Sequence, residues 1–226
     1  VIDFYDSLRQ LLPATGNGKQ EGIITTGKEH RDFATLLKAF AGTGLPVEIF
    51  TTPDPEYQAL LKAYEAYSNI RVHFTVGILP HMLATEVCRS RFVVICCQDF
   101  PYTVGLTTLV EAFALGLPVI CTRNPKFEMD IEKERAGSYQ IEVLAGYNDV
   151  EGWKQAIAYL YTHPEEARQM GRNGRNLAER EFNLEHYTYE LSVILKDMAR
   201  TKAHDGKNPA SARHEIENKA LSLLSD

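Results

Sequence analysis

Apolar residues fall along this chain in two alternating patterns: short β-branched runs, and longer segments that carry one apolar face. Gly22 to Thr26 (GIITT) has the pattern of a short buried strand, and Asp32 to Phe40 sets Phe33, Leu36, Leu37 and Phe40 at the spacing of one helix face. The alternation then repeats. Val47 to Thr51 reads as a strand, Glu56 to Tyr67 as a helix opened by Pro-Asp-Pro, Arg71 to Val76 as a strand and Pro80 to Cys88 as a helix. Phe92 to Cys97, Leu106 to Leu115 and Pro118 to Cys121 continue as strand, helix and strand. A helical turn around Met129 to Arg135 and a strand from Tyr139 to Val143 follow. The β-branched runs do not alternate polar with apolar, so both faces of each strand are expected to be covered. That pattern predicts an α/β protein with a Rossmann-like, doubly wound parallel sheet.

The last third changes character. Asp149 to Tyr161, Pro164 to Arg180 and Leu184 to Arg200 read as three successive helices, with Pro164 at N1, Glu165 in the first turn and Asn183 as a cap. Residues 1–21 end in a Gly/Pro/polar stretch that reads as a linker or interdomain remnant. Residues 22–200 form the expected domain, and 201–226 an irregular tail with a short amphipathic piece from Ile216 to Leu224.

Composition narrows the picture. The 226 residues, 44% of them hydrophobic and 24% charged, suffice for one sizeable core. With 24 Lys and Arg against 30 Asp and Glu, the net charge of −6 gives no field to attract a nucleic-acid backbone, so any anion site must be local. Cys88, Cys96, Cys97 and Cys121 sit in apolar stretches, and neighbours such as Cys96 and Cys97 point to opposite faces of a strand. Buried free thiols in a reducing, cytoplasmic compartment are the expectation. No run is long enough to span a bilayer and no signal peptide is visible. The Val start reads as a cut from something longer.

In a doubly wound sheet, ligands lie beyond the C-terminal ends of the strands. Three places there stand out. After the first strand, Gly27 lets the backbone turn, and Lys28 and Arg31 flank a helix N-terminus, the elements of a phosphate site. The alternative is a pair of solvated cations. Next, Gly105, Leu106, Thr107 and Thr108 open a helix with N–H groups and hydroxyls for an anion. Glu111, at i+4 from Thr107, offers a carboxylate to a vicinal diol; the alternative is a solvent-facing Glu behind capping threonines. Third, Val76, Gly77, Ile78, Leu79 and Pro80 form an irregular loop able to hold a planar base, or simply a turn into a helix. Trp153, Ile157 and Leu160 read as core, Arg172 and Arg175 as a solvated or salt-bridging face, and His73, in a strand, as a satisfied core histidine.

At these residues the sequence resembles a family. GLTTLVEAFALGLPVICT, Gly105 to Thr122, resembles the signature of the C-terminal, donor-binding domain of retaining GT-B glycosyltransferases of the family 4 type, with its Gly-rich turn, EA dipeptide and G-x-PVI. TTGKEHRDFATLLKAF resembles that domain's first strand, Gly, basic residues and helix, and the likeness extends over residues 22–198. The resemblance implies half of a two-domain enzyme that moves a sugar from a nucleoside-diphosphate sugar to an acceptor, with no metal or other cofactor. It assigns ribose binding to Glu111 and diphosphate binding to the amides of Gly105, Leu106, Thr107 and Thr108. Leaving-group neutralisation falls to Lys28, with Arg31 as the second cation beside Gly27, and the base to the loop with Val76 and Leu79.

The sequence departs from that family at Thr103, eight residues before Glu111, where many members carry a second Glu. Asp-x-Asp is missing, and the Asp-x-Glu occurrences at Asp54, Asp130 and Asp149 read as surface charge. The partners implied are the donor and an N-terminal acceptor domain, from the parent chain or a partner chain, through which peripheral membrane association is possible. A nucleotide-binding module without catalysis and a nucleotide-sugar epimerase are the alternative functions.

Overall fold

The computed structural model describes residues 6–7, 22–41, 43–76, 80–102, 104–122 and 143–205. Six strands, β1 (Ile23–Thr26), β2 (Val47–Thr51), β3 (Ile70–Phe74), β4 (Phe92–Ile95), β5 (Val119–Thr122) and β6 (Val143–Ala145), make one sheet in the order β3-β2-β1-β4-β5-β6. Every neighbouring pair is parallel. The order reverses between β1 and β4, so the loops leaving those two strands part and open a crevice at the C-terminal edge. This is the Rossmann-like sheet that the runs of buried β-branched residues predict.

Helices α1 (Phe33–Phe40), α2 (Pro55–Lys62), α3 (Pro80–Arg89), α4 (Leu106–Ala114), α5 (Val150–Thr162), α6 (Pro164–Glu181) and α7 (Leu184–Asp205) complete the described elements. Side-chain caps fix several starts: Asp32 accepts from the Thr35 N–H at 3.0 Å and Asp149 from the Gly152 N–H at 2.8 Å. Alternate strand residues feed two cores. Ile23, Ile49, Val94 and Ile120 pack with Phe33, Leu37 and Phe40 of α1 and with Trp153, Ile157 and Leu160 of α5. Ile24, Val93, Ile95 and Val119 pack on the other face with Leu109, Ala112 and Phe113 of α4 and with Val87 of α3. Cys96 and Cys97 fall into different cores, as their adjacency in an extended segment requires.

The boundaries differ from the sequence reading where local turns or the lack of a breaker intervene. Helix α2 ends at Lys62 rather than Tyr67, because Tyr64 N–H bonds the Leu61 carbonyl and Tyr67 N–H the Tyr64 carbonyl in tight i to i+3 turns. Helix α7 runs to Asp205, five residues past the expected domain end at 200, no helix breaker standing before Gly206. His73 is not a core histidine. It is 43% exposed and pairs with Glu48 at 2.6 Å, on the sheet's edge strand. The linker 1–21 apart from residues 6–7, the turn around Met129 to Arg135, the strand start at Tyr139 and the tail 206–226 lie outside the described residues.

Helix α6 serves both cores, with Ala167 and Met170 in the first and Leu177 and Ala178 in the second. Its GRNGR segment is a packing device. A Cβ on Gly171 would stand 2.2 Å from the Gly116 carbonyl oxygen, and one on Gly174 2.6 Å from the Phe113 ring. Arg175 bonds the Ala114 carbonyl and pairs with Asp6 at 2.9 Å and Glu179 at 2.6 Å, while exposed Arg172 bonds only Gln169 among the described residues. Gly171→Ala is therefore expected to cost about 1–3 kcal/mol by overpacking. Arg172→Ala should stay within about 0.5 kcal/mol. Urea denaturation of the two variants checks both; a Gly171→Ala protein as stable as the parent contradicts the close approach.

Candidate functional site

The segments leaving β1 and β4 do not simply diverge at the crevice; they are tied. Asp32 N–H bonds the Cys96 carbonyl at 2.9 Å, and Gln98 N–H bonds the His30 carbonyl at 2.9 Å, forming an antiparallel bridge between Arg31 and Cys97. Arg31 itself is 5% exposed. Its Nε donates to the Thr26 carbonyl at 3.2 Å, Nη1 to the Glu29 carbonyl at 3.2 Å and to Cys97 Sγ at 3.5 Å, and Nη2 to Thr108 Oγ1 at 3.3 Å. Tyr57 of α2 holds the Arg31 backbone, accepting from its N–H at 3.2 Å.

This corrects the picture of Arg31 as a cation standing at a helix start. Its guanidinium folds back into the protein and joins the end of β1, the end of β4 and the first turn of α4. Each of these partners is a neutral acceptor, and among the described residues no carboxylate pairs with it. An unpaired buried charge costs several kcal/mol on the order of its lost hydration, so this guanidinium leaves a local demand for an anion.

Two glycines allow the arrangement. Gly27 has φ 129°, and a Cβ there would sit 2.2 Å from Arg31 Nη2. Gly105, the N-cap of α4, has φ 90°, and a Cβ would meet Ile95 Cγ2 at 2.7 Å and Cys97 Sγ at 3.1 Å. Having no side chain, Gly105 cannot accept from the first-turn N–H groups of α4, so that positive helix end opens beside Arg31. The threonines divide their roles: Thr108 is buried against Arg31, while Thr107 and Leu106 are exposed at the helix start. They do not supply the N-cap, which is the glycine. Glu111 is half-buried one turn further along α4.

The remaining expected residues lie further out. Lys28 is exposed, its Nζ 3.9 Å from Glu29, a surface pair of little energetic weight. Val76 is 75% exposed beyond β3, the edge strand, which stands two strand spacings or about 10 Å from β1. It is not brought together with Arg31 and Gly105, and Gly77 to Leu79 lie outside the described residues.

Sequence reasoning passed over Tyr57, His30, Phe100 and Tyr147. Burial raises the Tyr147 phenol, with Asp99 adding to the rise, and its buried hydroxyl has no hydrogen-bond partner among the described residues. Among the described residues no group of three metal-ligating side chains occurs, and no helix is long and apolar enough to cross a membrane.

A family model described as glycosyl transferase-like matches residues 31–192. The chain belongs to that family. No curated protein matches it. Solved structures do. This glycosyl transferase-like chain is similar to a sucrose-phosphate synthase from Thermosynechococcus elongatus, at 20% identity and TM-score 0.64, over 87% of this chain and 49% of that one. It is also similar to Anabaena HepE in complex with UDP, at 13% identity and TM-score 0.66, over 87% and 55% of the two chains. A third likeness is the C-terminal domain of the group 1 glycosyl transferase LpcC from Francisella tularensis, at 13% identity and TM-score 0.58, over 78% of this chain and 98% of that domain. At these identities the likeness is one of fold, and the chain spans about half the length of the sucrose-phosphate synthase and HepE structures.

The thiols around the site are set by the same packing. Burial pushes the Cys97 thiol up, partly opposed by the Arg31 guanidinium, and pushes Cys96 up further. Since the folded values lie above the ordinary 9.0, their stabilising contribution is full below that pH and is lost as pH rises through the folded values. At pH 8 a thiol-specific disulfide reagent should therefore react readily with half-buried Cys88, and with Cys96, Cys97 and Cys121 only on unfolding. Immediate reaction of all four in the folded protein contradicts the buried ends of β4 and β5.

Proposed function

We propose that this chain is the donor-binding half of a retaining, metal-independent glycosyltransferase. It takes a nucleoside-diphosphate sugar, and the rest of the parent protein or a partner chain supplies the acceptor side. The observation that carries the reading is the buried Arg31 guanidinium, without a carboxylate partner among the described residues, beside the glycine-capped start of α4 at the switch point. Anions belong there for two independent reasons, the uncompensated cation and the helix N-terminus.

The chemistry follows from charge. As the bond between the anomeric carbon and the diphosphate oxygen breaks, negative charge gathers on the leaving group and positive charge on the sugar ring. Arg31 and the N–H groups of Leu106, Thr107 and Thr108 are fixed before the reaction, so they stabilise the leaving diphosphate without reorganising. Exposed Lys28 adds a flexible charge at the rim. Glu111 accepts hydrogen bonds from the ribose diol. The UDP complex of HepE, which shares the fold, supports a uridine nucleotide as the first donor to try. The acceptor half, in this reading, works in the cytoplasm and brings any membrane contact. A binding module without turnover is favoured by one feature, Thr103 where an acidic residue stands in many similar proteins.

Calorimetric titration with UDP, GDP and ADP tests the site; binding of none of them overturns the proposal. Lys28→Ala should weaken the bound nucleotide by about 1 kcal/mol, as for one exposed charged hydrogen bond. Glu111→Ala should reduce affinity for the nucleotide more than for its 2′,3′-dideoxy analogue. Release of free sugar from the donor separates the transferase half from the silent module.

A further inference from the structure

Beside the anion site three rings from two different loops meet. His30 stacks on Phe100 with centroids 3.5 Å apart and planes 25° from parallel. Tyr102 stands edge-on to both, at 5.9 Å and 79° from His30 and at 4.8 Å and 74° from Phe100. Its hydroxyl is 3.1 Å from His30 Nε2.

This cluster stands outside the packed cores and is only partly covered. None of the three rings belongs to either hydrophobic core, and Tyr102 is 54% exposed. His30 also holds a left-handed backbone, φ 50°, which a residue with a side chain adopts at some cost. Strain kept on an exposed loop at the mouth of a cleft has the character of a functional feature.

The position is equally specific. His30 adjoins Arg31 in the chain, and Tyr102 precedes the Gly105 cap by three residues. The rings therefore stand on the same two loops that carry the anion site, with Tyr102 no more than three Cα spacings, about 11 Å, from the Gly105 cap. A pyranose has an apolar C–H face and a rim of hydroxyls. It suits an aromatic corner that also carries a phenol and an imidazole edge.

We infer that His30, Phe100 and Tyr102 form the platform that receives the sugar ring of the donor, with the His30–Tyr102 edge reading its hydroxyls. The inference rests on the proposed donor site and adds to it the residues that distinguish the nucleotide sugar from the bare nucleotide. Tyr102 and His30 thereby do the recognition for which no acidic side chain is present at Thr103.

Tyr102→Phe keeps the ring and removes the hydroxyl; His30→Asn removes the ring from a position whose left-handed backbone Asn tolerates. Each is titrated with UDP and UDP-glucose, GDP and GDP-mannose, or ADP and ADP-glucose, using the pair that the parent protein binds. Both variants should lose about three- to tenfold in affinity for the nucleotide sugar, the weight of one hydrogen bond or ring contact. Affinity for the bare nucleotide should stay within about twofold. Equal losses for both ligands, or no loss for either, overturn the platform, as does a parent protein for which the sugar adds nothing to specificity or affinity. Failure of the donor-site reading is distinct: the parent protein then binds no nucleotide of any pair.

Discussion

A buried guanidinium that has no carboxylate partner among the described residues is the constraint around which this end of the molecule is organised. Arg31 reaches back over Gly27, spans the gap between β1 and β4, and ends on Thr108 in the first turn of α4. Parallel strands that separate at a switch point leave unfilled space and unpaired backbone groups at their C-terminal ends. Here the bridge between Arg31 and Cys97 and the four guanidinium contacts occupy that space. The neutral acceptors take four hydrogen bonds from the guanidinium while leaving its charge. Hydrogen bonding and charge compensation are separate requirements, and the described residues meet only the first.

The clamp works only if α4 is held in place from behind. That support comes from α6, whose glycines let it lie against Gly116 and Phe113 at distances no larger residue allows. Because α6 also enters the core on the opposite face, through Ala167 and Met170, the position of the α4 N-terminus is tied to both faces of the sheet. A site built in this way is preorganised: its dipole and cation are held by packing rather than assembled by the ligand. Exposed Tyr102 and the half-buried rings of His30 and Phe100 lie beyond that rigid part, on loops, where the proposed platform would read a substrate group without disturbing the clamp.

Much of this was legible in the sequence, for local reasons. The unbroken β-branched runs fix buried strands, the helix patterns open at Asp32 and Asp149, where the structure has side-chain caps, and Gly105 stands at the start of α4, where the structure has the glycine rather than a threonine as N-cap. Trp153 is core, as its helical spacing with Ile157 and Leu160 indicates. What escaped is non-local. Arg31 meets Cys97 and Thr108 across 66 and 77 residues, and His30 meets Tyr102 across 72, so no window of the sequence contains either relation. A polar loop residue next to a strand end reads as solvated until the fold brings a second loop over it. GRNGR is the opposite case: its arginines are a solvated and a salt-bridging cation, as the sequence indicates, but the weight of its glycines is not visible there. Its two arginines attract attention as cations, whereas its glycines carry the structural information, and one arginine is consumed by Asp6, Glu179 and a carbonyl.

Net charge and site charge also have to be kept apart. The chain carries −6 overall, a field that opposes an approaching diphosphate, yet screening confines such a field to about 8–10 Å at physiological ionic strength. Within the crevice the deciding distances are hydrogen-bond distances and the surroundings are protein rather than water, so a single buried cation and one helix end outweigh many exposed carboxylates. Lys28, exposed at the rim, belongs to the screened regime, and Arg31 to the unscreened one. The two cations that the sequence presents as a pair are therefore unequal. Arg31 shapes the loops around it and, in the proposed site, defines the anion position, while the proposed role of Lys28 is to adjust how strongly an anion placed there is held.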